Sequence, residues 1–371
     1  MRGEKNGQHC RGWWNWKYAV LPFDHSLQPL PYQPFFLPFS LIFFLLRLLL
    51  YASPVFHRLT HSPDVATEIL RAVIANPNNQ ITIFTRSHTS PETRTSSPAN
   101  VSYKTIDYSN KDDLVKNLKG IDVCLSFLVV HLDEGCTVQK NLIAACIEAG
   151  VRRFAPSEWG IKNGSGCPPY KNKDEIAEYL KDLNKEKTVL EYTLFQPSLF
   201  IDYFAHPFSL SPNLITWPFF LDFEHRRAMI LDSGDQPIVL TAISDVSQVL
   251  ALAIADERPW PPVGGIVGTH TTINELLAIG KKVRGGEWTE ETINGEDIKE
   301  GKWKGSWTPI VTHHAISIGD REKASEAFLV MFLKGISNGS WNVSDEFNER
   351  FPEFEFQTAE GYLEKAWKGK D

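Results

Sequence analysis

The stretch "DVATEILRAVIANPNNQITIFTRS", Asp64 to Ser87, carries the pattern that decides the fold. Its first part places apolar residues at i, i+3 and i+4 spacing, which predicts a helix, and its second part predicts a strand that ends on Arg86. In a nucleotide-binding unit a strand and a glycine-rich turn precede such a helix. The segment directly upstream, "SPVFHRLTHSP", contains no glycine. The stretch therefore raises the question of whether a nucleotide-binding unit has lost its phosphate loop.

Strand and helix patterns alternate regularly from Val65 to about Phe204. Strand-like runs lie at 80–85, 101–106, 121–129, 152–157 and 190–196, and helical patterns lie at 67–76, 111–120, 137–150 and 173–184. This alternation predicts an α/β fold with a doubly wound, Rossmann-like parallel sheet over 61–204. The looser, aromatic-rich remainder, 205–371, predicts a smaller substrate lobe interleaved with the end of that domain. Ligands bind such sheets at the carboxyl ends of the strands, so candidate site residues follow the strands.

Composition excludes several classes of protein. The net charge is -7 and no Lys/Arg cluster is evident, which argues against a nucleic-acid partner. The five cysteines lack CxxC spacing, and this favours a reduced, cytoplasmic compartment over a disulfide framework. His313 and His314 lie in no HExxH pattern, so no metal site is predicted.

Residues 1–60 differ in composition from the rest of the chain. The run 35–56 is almost entirely Phe, Leu, Pro and Ser and begins too far into the chain for a secretory signal. A membrane anchor through 35–56 is an alternative, although Arg47 costs roughly 2.5–3.5 kcal/mol near a bilayer centre. Because Phe, Leu, Ser and Pro share pyrimidine-rich codons, we favour a third interpretation, in which a faulty gene model has translated a non-coding tract.

Several motifs occur in an order that resembles a known family. They are "FTRS", "GVRRFAPSEWG" (150–160), "YKNKDEIAEYL", "YTLFQPSLFIDYF" (192–204), "LTAISDVSQVLALAI" and the terminal "WNVSDEFNERFPEFEFQTAEGYLEKAW". Together they resemble fungal isoflavone-reductase-like proteins of the NmrA-like branch of atypical short-chain dehydrogenases, from about Val65 to the C-terminus. The resemblance implies an NADP-binding Rossmann domain with a small substrate lobe. In enzymatic members it implies reduction of phenylpropanoid-type or related conjugated substrates, whereas other members bind the dinucleotide as regulators.

The residues after the second strand are candidates for binding the adenosine end of NADP. Arg86 stands where an NAD enzyme presents an acid to the ribose 2'-hydroxyl, and an arginine there can pair with a 2'-phosphate. Thr85 and Ser87 add hydroxyl groups at the same point. A solvated arginine at a strand end is the alternative.

The next strands end on further candidates. The resemblance places Ser126 beside the dinucleotide, although a serine at a strand end is commonly a turn residue. It places Pro156, Ser157 and Glu158 at the nicotinamide end of the site. For Ser157, capping of the following segment is as well supported as a catalytic role.

Lys173 opens the helix "KDEIAEYL" and matches the lysine that heads the corresponding helix in the reductases. In that role its ammonium would polarise the substrate oxygen or deliver a proton. The alternative is a solvated lysine in the first turn of a helix. Tyr170 lies three residues before Lys173, so the Tyr-x-x-x-Lys pair of ordinary short-chain dehydrogenases is absent.

A gapless alignment of the family's strand–GxxGxxG–helix places its glycines at Thr60, Pro63 and Ala66, and its strand on "PVFHR". Alanine is accepted at the third position, but Thr60 crowds the turn and Pro63 removes an N–H where backbone approaches the pyrophosphate. We therefore expect this chain to bind NADP(H) poorly. The functional alternatives are a reductase acting on a small molecule, a dinucleotide-sensing regulator, and a cofactor-binding-defective product of a faulty gene model.

Overall fold

The structure is a computed structural model that describes residues 17–21, 63–86, 97–313 and 316–370. Six parallel strands form its main sheet in the order β3-β2-β1-β4-β5-β6. They are β1 (Lys17–Leu21), β2 (Gln80–Thr85), β3 (Val101–Thr105), β4 (Val123–Ser126), β5 (Arg153–Ala155) and β6 (Glu191–Tyr192). The order reverses direction at β1, as in a doubly wound sheet, so the predicted fold class is confirmed.

The central strand does not lie where the sequence predicted it. "PVFHR" lies outside the described residues, and its expected place is taken by β1, in which Lys17 is level with Gln80 of β2 and Tyr18 with Val123 of β4. The prediction went wrong because strand-to-helix connections in such units usually span about 2–6 residues. Here residues 22–62 separate β1 from the next helix. The segment 1–60 therefore contributes a strand to the middle of the sheet.

Four helices belong to the alternating part of the chain. They are α1 (Pro63–Ala75), α2 (Lys111–Leu118), α3 (Thr137–Ala149) and α4 (Lys171–Leu183). Each presents its apolar stripe to the sheet, and Ile69 and Leu70 of α1 are buried together with Val123 and Leu125 of β4. Ala66 is buried in the same cluster.

The rest of the chain forms small sheets and helices around an aromatic core. Its strands are β7 (Leu194–Gln196), β8 (Leu199–Phe200), β9 (Leu221–Asp222), β10 (Arg227–Leu231), β11 (Ile238–Thr241), β12 (Val263–Gly265), β13 (Thr269–Thr271) and β14 (Thr289–Ile293). Its helices are α5 (Ile243–Ala255), α6 (Ile273–Arg284), α7 (Gly295–Lys299), α8 (Arg321–Ser337), α9 (Glu346–Arg350) and α10 (Ala359–Trp367). The strands pair in the orders β14-β10-β9, β13-β11-β8 and β12-β7.

Helix α5 returns from this second part to the main sheet, where it packs against α1 and buries Val246, Val249 and Leu250 in the same apolar cluster. The strand predicted over 190–196 divides in two, since β6 extends the main sheet while β7 pairs with β12. In the described part of the chain no helix is both long enough and apolar enough to cross a membrane. The run 35–56 lies outside that part.

Candidate functional site

A cavity of about 560 Å³ opens at the carboxyl ends of β2, β3 and β4. Its walls come from the residues that follow each strand, including Arg86, Asp107, Tyr108, Leu128 and Val129. This edge is where a doubly wound sheet binds the adenosine half of a dinucleotide. The volume falls within the usual range of about 300–1,000 Å³ for small-molecule sites.

Arg86 lies in this cavity with its guanidinium 5.7 Å from the centre of the Tyr108 ring. Tyr108 is buried, and its hydroxyl donates a hydrogen bond to the carbonyl of Phe84 at 3.0 Å. The Arg86 side chain is exposed and keeps donors available for an anion. Thr85 donates to the carbonyl of Lys104 at 3.4 Å, and Ser87 lies outside the described residues.

The side chain of Ser126 is engaged in the fold. Its hydroxyl donates to Oε1 of Gln139 on α3 at 2.6 Å, and its carbonyl accepts from Nε1 of Trp159 at 2.8 Å. Trp159 in turn stacks between Phe127 and Phe195, with ring centroids 4.7 and 5.1 Å away. These contacts position the segment after β5 against the end of β4.

Pro156 and Ser157 are both buried directly after β5. Within the described ranges the Ser157 hydroxyl has no hydrogen-bond partner, so it makes no capping bond there. Buried hydroxyl groups in folded proteins are almost always hydrogen-bonded. A hydroxyl left unpaired at the carboxyl edge of the sheet is therefore suited to a polar group of a ligand.

Lys173 is only 3% exposed, so the interpretation as a solvated lysine is wrong. Its Nζ donates to the backbone carbonyl of Glu158 and lies 4.6 Å from the centre of the Tyr170 ring. Burial lowers the pKa of Lys173 to about 8, although the negative charges of Glu158 and Asp174 oppose this shift. An ammonium whose pKa lies near neutrality is suited to proton transfer.

Glu158 is a buried acid beside Lys173. The family resemblance placed it at the nicotinamide end of the site but assigned it no role. Burial raises the pKa of its carboxyl to about 7, while the Lys173 charge and a hydrogen bond from Asn163 act in the opposite direction. Oε2 accepts from Nδ2 of Asn163 at 3.4 Å, whereas Oε1 has no partner among the described residues. The glutamate of "PSEWG", together with a helix that begins with lysine, was the available signal.

An aromatic cavity of about 80 Å³ adjoins the lysine through the ring of Tyr170. Tyr203, Trp217, Phe219 and His313 contribute to its walls. The Trp217 indole N–H is buried without a partner in the described part of the chain. The cavity is smaller than the ~150 Å³ apolar cavity that holds benzene. A ring-sized ligand would therefore enter only if the lining side chains moved.

The N-terminus of α1 fits the pyrophosphate of a dinucleotide poorly. The helix begins at Pro63, which has no N–H to offer, and its first turn carries the buried carboxylate of Asp64. Oδ2 of Asp64 accepts from the Ile215 N–H at 2.9 Å, and Oδ1 lies 3.8 Å from Nε2 of His313. The sequence contains no glycine between Gly12 and Gly120. The adenosine end of the site therefore suits NADP, whereas the pyrophosphate end does not.

Comparisons with known proteins place this geometry in context. "Oxidoreductase BOA1" of Botryotinia fuckeliana is 27% identical over 300 residues, covering 78% of this chain and 93% of the relative. "Oxidoreductase swnN" of Arthroderma benhamiae is 25% identical over 298 residues, covering 71% and 90%.

Solved structures share the fold. A leucoanthocyanidin reductase–NADPH complex from Vitis vinifera matches with a TM-score of 0.60 at 16% identity, covering 81% of this chain and 95% of that one. An isoflavone reductase matches with a TM-score of 0.58 at 17% identity, covering 94% and 98%. The profile of the NmrA-like family matches residues 64–363. The chain therefore belongs to the NmrA-like family.

Proposed function

We propose that this chain has the architecture of an NADP(H)-dependent reductase that acts on a small conjugated or phenylpropanoid-like substrate in the cytoplasm. The observation that carries the proposal is Lys173, a buried lysine beside an aromatic cavity with its pKa lowered to about 8. The fungal relatives described as oxidoreductases support it. So does the structural neighbour described as holding NADP+ and (+)-pinoresinol.

Each candidate residue then has a role that its position supports. Arg86 pairs with the 2'-phosphate at the adenosine end, and Ser157 offers its free hydroxyl to a polar group at the other end of the site. When bound, NADPH supplies a hydride. Lys173 donates a proton from Nζ to the oxygen of the substrate, and the aromatic cavity excludes water from that proton transfer.

The cysteines support the cytoplasmic location. Cys124, Cys136, Cys146 and Cys167 are all buried and free. Reduced thiols at these positions suit a reducing compartment.

A dinucleotide-sensing regulator is the second candidate. It would keep the sheet and Arg86 but would not need an acid at position 173. Burying an ammonium carries a large free-energy penalty unless the charge is paired and hydrogen-bonded. A regulator gains nothing from that penalty, so the burial of Lys173 favours the enzyme.

The test uses a variant in which a short glycine-rich turn replaces residues 22–63 and β1 is kept. We expect this variant to consume NADPH with at least one member of a panel of conjugated carbonyl and phenylpropanoid substrates. The same variant carrying Lys173→Met should bind NADPH and leave it unconsumed. Tight NADPH binding without turnover on any substrate would instead support the regulator.

A further inference from the structure

The carboxyl of Glu158 is a buried titratable group to which the proposed reaction assigns no role. It is 1% exposed, and its Oε1 has no hydrogen-bond partner in the ranges that the structure describes. A buried carboxylate oxygen without a hydrogen-bond partner costs free energy of folding. Such a group therefore needs an explanation, in a function or in a further partner.

Lys173, the proposed proton donor, is the neighbour of Glu158 in the fold. Lys173 is held by a hydrogen bond from Nζ to the backbone carbonyl of Glu158, so the buried ammonium lies against the backbone of the residue that carries the buried carboxyl. Asn163 connects Glu158 to the helix that carries Lys173. Its Nδ2 donates to Oε2 of Glu158 and to Oδ1 of Asp174, both at 3.4 Å. Glu158 and Lys173 each shift the pKa of the other.

We propose that Glu158 is the charge partner of Lys173: its buried carboxylate keeps the lysine in the ammonium form, ready to protonate the substrate. The catalytic half of this proposal rests on the proposed function. Glu158 acts through Lys173 and is a positioning residue.

The proton balance is closed by water alone. Transfer from Nζ to the substrate oxygen leaves a neutral amine. The amine then takes up one proton from water, and the negative charge of Glu158 favours that uptake. This restores the ammonium, with one proton consumed for each proton delivered.

Few other titratable groups face this pair. Asp174 lies on the same helix as Lys173, and its Oδ1 accepts from the Gly164 N–H at 2.9 Å. Tyr170 is half-buried and desolvation raises its pKa, as burial does for the pKa of Cys167 behind it. Both therefore stay neutral around pH 7, and Glu158 is the principal negative charge that acts on Lys173.

The experiment measures the titration of Lys173 directly in the full chain, by acylation at a series of pH values with mass-spectrometric quantification. Glu158→Gln should lower the midpoint of Lys173 labelling by about one pH unit, because an opposite charge at close range shifts a pKa by roughly 1–3 units. The neutral-amine fraction at pH 7, and with it the labelling, should then rise roughly fivefold. Glu158→Asp, which keeps the charge, should restore most of the original midpoint.

The control is Glu175→Gln, which removes an exposed carboxylate from the same helix, where it pairs with Lys140 at 2.6 Å. This variant should leave the Lys173 midpoint unchanged. A midpoint that does not fall in Glu158→Gln, or that falls equally in Glu158→Asp, overturns the proposal.

A reciprocal measurement does not depend on the folding of the Glu158 variants. In Lys173→Met, carbon-13 NMR of the glutamate carboxyl groups should show Glu158 titrating above the value of about 7 that it has beside the lysine. An unchanged Glu158 titration contradicts the proposal. None of these readouts needs dinucleotide or substrate, so the pairing can fail or hold independently of the reductase activity.

Discussion

At the scale of single residues, the contacts that a side chain makes in the fold decide whether it remains available to a ligand. Ser126 looked like a site residue, yet its hydroxyl is bonded to Gln139. Lys173 was predicted to be the proton donor, with a solvated lysine as the alternative, and it is buried against the backbone of Glu158. The sequence pattern does not distinguish the two outcomes. A serine at a strand end or a lysine in the first turn of a helix looks the same in sequence whether or not other residues pack on it.

Arg86→Ala tests cofactor choice. In the variant with the glycine-rich turn, we expect it to weaken NADPH binding by about 1.5–3 kcal/mol, the range for hydrogen bonds to charged groups, and to leave NADH binding almost unchanged. Fluorescence titration with both dinucleotides measures the difference. Arg152→Ala is the matched control, since it removes an exposed arginine next to the amino end of β5. Equal losses for NADPH and NADH would remove Arg86 from this role.

Lys173→Met tests the proton donor and keeps an apolar chain of similar length in the buried position. In the variant with the glycine-rich turn, kcat should fall roughly 10²–10⁴-fold with little change in NADPH affinity, as for loss of a positioned acid. Steady-state kinetics and binding titration measure the two quantities. Lys171→Met, on the exposed side of the same helical turn, should retain full turnover. Full turnover in Lys173→Met would exclude lysine as the acid.

At the scale of elements, the connection between β1 and α1 is the anomalous part of the molecule. The two elements that it joins are both part of the packed fold. β1 pairs with a strand on each side, and α1 packs against α5. Residues 22–62 stand where a short turn is expected. Residues 17–21 therefore belong to the sheet, which corrects the interpretation of 1–60 as an extension outside the Rossmann-like domain.

Replacement of 22–63 by a short glycine-rich turn should restore NADPH binding, because glycine backbone can approach a pyrophosphate and the helix N-terminus favours anions. The chain as written should bind NADPH poorly or not at all, and fluorescence titration of both proteins decides the matter. A second variant that has the new turn but carries Ala19→Pro in β1 is the control. Proline removes a ladder N–H from a central strand, so this protein should fold poorly. Tight binding by the chain as written would show that the missing glycines do not matter.

At the scale of the whole molecule, Arg153 joins the main sheet to the part of the chain that returns to it. Its guanidinium is fully buried, pairs with Glu191 of β6, and donates to the carbonyls of Ala253 and Asp256 at the C-terminal end of α5. It also lies 5.0 Å from the centre of the Trp260 ring. Arg153 thus helps to satisfy the last carbonyls of this helix, together with Trp260, whose Nε1 donates to the carbonyl of Ala253 at 2.7 Å.

Arg153→Leu should destabilise the folded chain by roughly 3–5 kcal/mol, because it removes the charge that pairs with the Glu191 carboxylate and the donor to the Asp256 carbonyl. Urea unfolding followed by circular dichroism measures the loss. Arg152→Leu removes the neighbouring exposed arginine and should change the free energy of unfolding by less than about 1 kcal/mol. A loss of the same small size in Arg153→Leu would mean that the buried network carries little stability.

The sequence by itself determined the alternation of helices and strands from Gln80 to Tyr192, the parallel sheet, the strand ends after which Arg86 and Ser157 lie, and the helix that carries Lys173. Those features follow from local periodicity, which each segment carries on its own. Only the tertiary structure decided that Lys17–Leu21 is the central strand and that Glu158 and Lys173 are buried together. The physical reason is that strand pairing and desolvation depend on contacts between residues far apart in the chain, and no short pattern contains that information.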